Sequence, residues 1–153
     1  MARKILIESR SEPEVFTLFG ISCHLRDYHL THLLNLKLDL AFAREDDFRG
    51  FPFFSCIDEN GFNTYYLMGN RNMESVLLPD MRQTDYFLLI EGPFKKAQND
   101  KVLKNIRSLE NVLAAFEVNL DQIRNFEVVL NDLEMHFMNI HRDEKMKYSP
   151  PKK

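Results

Sequence analysis

Tryptophan is absent from this chain, and cysteine and glycine are scarce, at two and five among 153 residues. Cys23 and Cys56 lie far apart and form no Cys-x-x-Cys pair, which argues against a thiolate zinc site and a disulfide scaffold. Both are expected as reduced thiols, and no metal or cofactor is expected. So few glycines leave no Gly-rich phosphate loop. No apolar run approaches the ~20 residues of a membrane span. The first such run ends at Ile7, too short for a signal-peptide core. Charge of one sign is also missing: 20 Lys and Arg face 23 Asp and Glu, net −3, with the basic residues scattered. That balance counts against nucleic acid, whose phosphates demand a dense basic face, and against an anionic membrane. The cytoplasm is the default location.

Phenylalanine is abundant instead, with 13 residues beside 5 Tyr, so aromatic side chains carry much of the core. The length suits one domain, residues 1–147, followed by a short Pro- and Lys-rich tail at 148–153 expected to be disordered. Lys4–Glu8 reads as an edge strand and Ser9–Glu14 as a loop. Val15–Ile21 reads as a strand, with Gly20 allowing a sharp exit. Ser22 caps an expected helix to Leu36, whose apolar face is Leu25, His29, His32 and Leu36. Leu38, Leu40 and Phe42 alternate with small or polar residues, the period of a strand.

Phe51–Glu59 and Phe62–Asn70 flank Asn60-Gly61, a strong hairpin signal because both turn positions need positive φ. Pairing Glu59 with Phe62 sets Ile57 opposite Thr64, Ser55 opposite Tyr66, Cys56 opposite Tyr65 and Phe54 opposite Leu67. Both faces are apolar, so neither is expected to be bare. Leu77–Asp80 is a turn, and Tyr86–Ile90 a central strand ended by Gly92-Pro93. A helix over Lys95–Leu109 turns Val102, Leu103 and Ile106 inward. Val112–Val118 is a strand, and Asp121–Lys147 one long helix. The fold expected is α+β: an antiparallel sheet with a ferredoxin-like (βαββαβ) core, an inserted β-hairpin and a long C-terminal helix.

The segment Leu78-Pro79-Asp80-Met81-Arg82-Gln83-Thr84-Asp85-Tyr86 resembles the signature of the IPExxxVDY family, small bacterial proteins found mainly in Bacteroidetes. Pro79, Asp85 and Tyr86 match it outright; Leu78, Asp80 and Thr84 are near substitutions. Tyr86–Gly92, Gly20-Ile21-Ser22, Arg26-Asp27-Tyr28 and Leu34-Asn35 extend the resemblance. It implies no activity and no catalytic residue.

The chemistry-bearing groups are few. His29 and His32 share the spacing of a metal pair but lack further ligands, and read as helix packing. Asp132, His136, His141 and Glu144 read as the wet side of the last helix. Asp85 is expected to accept backbone N–H bonds from the Pro79–Gln83 turn. The competing reading is a pocket of Asp27, Tyr28, Arg82, Asp85 and Tyr86 for a small polar ligand, with Arg82 or Arg26 balancing Asp85. Ile123, Phe126, Leu130, Leu133, Phe137 and Ile140 form a heptad-like stripe. A helix of that length would outrun its sheet, so a homodimer is expected, with Leu130, Leu133 and Phe137 meeting a second copy. The function expected is a non-enzymatic interaction or regulatory module; the alternative is a small enzyme or ligand-binding protein using the Asp/Tyr/Arg cluster.

Overall fold

The structure, a computed structural model, describes residues 15–59 and 61–147, with side chains as far as Arg142. The expected strand at Lys4–Glu8, the loop at Ser9–Glu14 and the tail at 148–153 lie outside the described residues. The elements are β1 (Phe16–Cys23), α1 (Asp27–Leu38), β2 (Ala43–Arg44), β3 (Phe53–Ile57), β4 (Thr64–Gly69), β5 (Tyr86–Glu91), α2 (Lys96–Arg107), β6 (Val112–Val118) and α3 (Phe126–Lys147). The strands form one sheet in the order β2-β3-β4-β5-β1-β6, every neighbouring pair antiparallel.

Alternation along the strands divides the core in two. Phe19, Ile21, Leu88 and Ile90 point to one face, where Leu30 and Leu34 of α1 and Ile106 of α2 cover them. Leu18, Phe87, Leu89 and Tyr66 point to the other, beneath Val129, Leu130 and Leu133 of α3. The central strands β4 and β5 are therefore buried on both sides, which is why they read as nearly unbroken apolar runs. Val102 and Leu103 pack inward beside Ile106, as the spacing indicates.

The hairpin register is the one the Asn-Gly position implies: Phe54 faces Leu67, Ser55 faces Tyr66, Cys56 faces Tyr65 and Ile57 faces Thr64. The ladder stops there, so Glu59 and Phe62 lie within the turn instead of pairing. Asp58 holds that turn, its carboxylate accepting the Phe62 N–H at 3.1 Å. Gly61 has φ 74°, and Asn60 lies outside the described residues. The hairpin is no appendage, because β4 pairs directly with β5.

Several expectations are corrected. First, β1 continues through Ser22 to Cys23, and α1 starts at Asp27 after Arg26, with no side-chain cap. Leu25, His29, His32 and Leu36 are not its buried face; His29, His32 and Leu36 are exposed, while Leu30, Thr31 and Leu34 are buried. Second, Leu38–Phe42 is no strand. The helix runs to Leu38, Asp39 turns left-handed at φ 56°, and the Asn35 side chain accepts the Phe42 N–H at 2.8 Å. Bound to that amide, Phe42 cannot enter a ladder.

Third, Gly20 is mid-strand and marks a close approach: a Cβ there would lie 2.7 Å from Cζ of Phe116. Fourth, the last helix begins at Phe126, since a 3-10 turn at Leu120–Gln122 and Asn125 at φ 59° interrupt the chain first. Its 22 residues span about 33 Å. Leu130 and Leu133, expected to meet a second copy, are buried on the chain's own sheet, while Phe137 and Ile140 pack at the rim of that cluster. Nor are Asp132 and His136 simply wet. Asp132 pairs with Arg49, and His136 sits between the Phe48 and Phe53 rings with Nε2 2.9 Å from the Asp46 carbonyl.

Candidate functional site

Where β1 hands over to α1, beside β5, a polar cleft of about 310 Å³ opens. It unites three of the five expected site residues, Asp27, Asp85 and Tyr86, with Cys23, His24, Arg26 and Arg71. Tyr28 does not join them; it projects into solvent, 67% exposed. Arg82 lines a neighbouring hollow with Pro79 and Ser75. It follows the 3-10 turn Pro79–Met81 and does not line the cleft.

The groups in the cleft are engaged with one another. Asp85 Oδ2 accepts the Cys23 N–H at 2.9 Å, and Oδ1 accepts from Arg71 Nε at 3.2 Å. Asp85 therefore ties the end of β1 to the loop that follows β4; it does not pin the Pro79–Gln83 turn, as expected, nor pair with Arg82 or Arg26. Asp27 accepts its neighbour's N–H, from Tyr28, at 2.7 Å and an Arg44 guanidinium N–H at 2.9 Å. The Tyr86 hydroxyl donates to the Leu25 carbonyl at 2.6 Å. Burial pushes the Tyr86 phenol well above its ordinary value, and the nearby Cys23, Asp27 and Asp85 add to the shift. The Cys23 thiol is likewise raised, by burial first. A thiol and a phenol held protonated are poor nucleophiles and bases at neutral pH.

Asn70 does what was expected of Asp85. Fully buried at the end of β4, its amide donates to the carbonyls of Met81 at 2.9 Å and Thr84 at 2.7 Å. Its Oδ1 accepts the Leu78 N–H at 2.9 Å. Three bonds fix the signature segment from inside. Asp80 fixes it from outside, accepting the backbone and side-chain N–H groups of Arg124, which hold its carboxyl below the usual carboxylate range. No sequence signal marked Asn70, Arg71 or Arg44, because their partners depend on which strands become neighbours.

A second concavity is larger and different in chemistry. Along the middle of α3, from Asn131 to Met138, a groove of about 800 Å³ runs against the ends of β4 and β5. Its lining is mostly apolar and includes Val15, Phe62, Met135 and Met138, all exposed. Phe137 forms part of its wall and meets Tyr66 edge-on at 5.3 Å. Glu91 and Glu134 supply its acidic groups.

Among the described residues no group of three or more His, Cys, Asp or Glu side chains could hold a metal ion. Cys23 and Cys56 are both free thiols. No described helix is long and apolar enough to cross a membrane. The chain is thus an α+β protein with a six-stranded antiparallel sheet covered on both faces. Comparison with family models and with curated proteins finds no match.

Proposed function

We propose that this protein is a non-enzymatic interaction module that docks a short apolar segment with basic flanks in the groove beside α3. The observation that carries the reading is the contrast between the two concavities. In the polar cleft Asp27, Asp85 and Tyr86 already spend their hydrogen bonds on the fold. In the groove, Phe62, Met135 and Met138 remain 60–69% exposed around an apolar floor. Contiguous apolar surface bordered by charge is the mark of an interaction site. Glu91, which accepts the Tyr66 hydroxyl at 3.0 Å, and Glu134 give the rim a negative sign that favours a partner carrying Lys or Arg.

Several finer readings accompany this one. The sheet neighbours β4-β5-β1-β6, linked by α1 and α2, support a ferredoxin-like core to which β2 and β3 are added. In that reading the second core strand is β4, not the Leu38–Phe42 stretch. The signature segment supports placing the chain with the IPExxxVDY proteins in a bacterial cytoplasm. The small-ligand or enzyme reading keeps one observation in its favour: Asp27, Asp85 and Tyr86 do converge on one cleft.

The probe is a fluorescein-labelled peptide, Lys-Lys-Leu-Ile-Leu-Lys-Lys, titrated into the full chain and followed by anisotropy. Saturable binding is expected, weakened about tenfold by Met135→Glu or Glu134→Lys and unchanged by Arg71→Gln in the cleft. Binding indifferent to the groove variants would overturn the proposal.

A further inference from the structure

Most arginine side chains of this fold are engaged. Among the described residues, Arg44, Arg49, Arg71 and Arg124 each meet a carboxylate, and Arg107 and Arg142 donate to a carbonyl or amide oxygen. The Arg82 guanidinium has no hydrogen-bond or ion-pair partner among the described residues, yet Arg82 lines a hollow of about 430 Å³ with Arg71, Asn72, Glu74 and Ser75. Arg71 has donors to offer there as well. A guanidinium carries N–H groups on all three nitrogens, and Arg71 places Nε alone on Asp85, at 3.2 Å, with its side chain half exposed. Glu74 is the one carboxylate in that lining, and it pairs with neither arginine.

We propose that the hollow lined by Arg71 and Arg82 is a binding site for an oxyanion, the phosphate or carboxylate group of a small molecule.

The chemistry of the lining carries this. A guanidinium fork matches the geometry of both oxyanions, and its charge strengthens each N–H bond it makes to them. The volume falls in the ~300–1,000 Å³ range of small-molecule sites. Both walls are also held in place before any ligand arrives. On one side, Asn72 Oδ1 accepts the Glu74 and Ser75 N–H groups at 2.8 and 2.7 Å, and Arg71 bridges to Val76. On the other stands the 3-10 turn Pro79–Met81. Buried Asn70 joins the two, its carbonyl accepting the Leu77 N–H at 2.9 Å and its side chain holding Leu78, Met81 and Thr84. Walls fixed in advance spare the ligand the cost of ordering them. The site is separate from the groove beside α3 and differs from it in chemistry, so it adds a second ligand to the docking reading.

Titration of the full chain with sodium phosphate and, separately, sodium acetate tests this, with sodium chloride holding the ionic strength constant. Amide and arginine Nε–H chemical shifts are the readout. Saturable shifts at Arg71, Ser75 and Arg82 are expected with at least one of the two; phosphate alone, or acetate alone, names the group. Arg82→Gln removes an exposed side chain without bonds in the fold, so its thermal melt should match the wild type while the affinity falls about tenfold. Glu74→Gln removes the opposing charge and should tighten binding roughly two- to fivefold. Shifts that fail to saturate with either anion would overturn the inference. So would saturable binding that Arg82→Gln leaves unchanged, which would place the anion elsewhere.

Discussion

Asp85 shows how far a single residue can be read before its neighbours are known. Its position before an apolar strand suggests a carboxylate with a structural duty, and that is what it has. The partners differ from those expected: the Cys23 amide and the Arg71 guanidinium. Those contacts arise because β5 lies between β1 and β4, a fact that no local pattern contains. Asp85 is about three-quarters buried, so losing its charge-assisted bonds should matter. Asp85→Asn is expected to cost about 1–3 kcal/mol in urea melts. Unchanged or higher stability would mean that the carboxylate is kept for a ligand. Tyr86 was legible in the same way, as a cleft residue. Tyr28 was not, because its neighbour in sequence, Asp27, turns inward while it turns out. Asn70 went unnoticed because an Asn closing an expected strand carries no local mark of its role; only burial reveals its three bonds.

Elements with strong periodicity and local punctuation were legible. The Asn-Gly pair positioned the β3–β4 register residue for residue, since turn geometry and period 2 leave little choice. The central strand β5 and the inward face of α2 followed from their apolar patterns. The failures have a common cause, which is that short apolar runs fit both periods. Leu30, Leu34 and Leu38 make one stripe of α1, but His29, His32 and Leu36 make another of equal regularity, and only the sheet decides between them. Gly20 is a further case. Read as an exit, it is instead the point where β1 lets the Phe116 ring of β6 lie against its backbone, with the Thr84 methyl 3.2 Å from a would-be Cβ. Gly20→Ala is expected to destabilise the fold by about 1–3 kcal/mol, the cost of forcing extra volume into a packed site. A variant as stable as the wild type in thermal melts would show that β6 can shift outward freely.

For the molecule as a whole, the same burial that shelters the core ties stability to alkaline pH. Burial raises the thiol of Cys56 to about 11 and shifts Cys23, Tyr65 and Tyr86 in the same direction. In the unfolded chain these groups lose their protons near the ordinary thiol and phenol values, about 8.5 and 10. Above that point the unfolded state binds fewer protons than the native state, so stability must fall as pH rises. Urea midpoints should hold steady to about pH 8 and decline progressively toward pH 11; a flat profile would contradict the burial of these groups. The long helix α3 lies at the same scale. Its apolar stripe invited a partner when seen alone, yet Ile123, Phe126, Leu130 and Leu133 close the core, and Phe137 packs against that cluster while lining the groove. The central claim is that the groove beside α3 docks a segment while the polar cleft holds the fold together. The most direct test is an amide chemical-shift map of the full chain during titration with the labelled peptide. The account predicts shifts confined to Val15, Phe62, Glu91 and residues 131–138 of α3. Shifts centred on Cys23, Arg71, Asp85 and Tyr86 would contradict it and make the cleft the binding site.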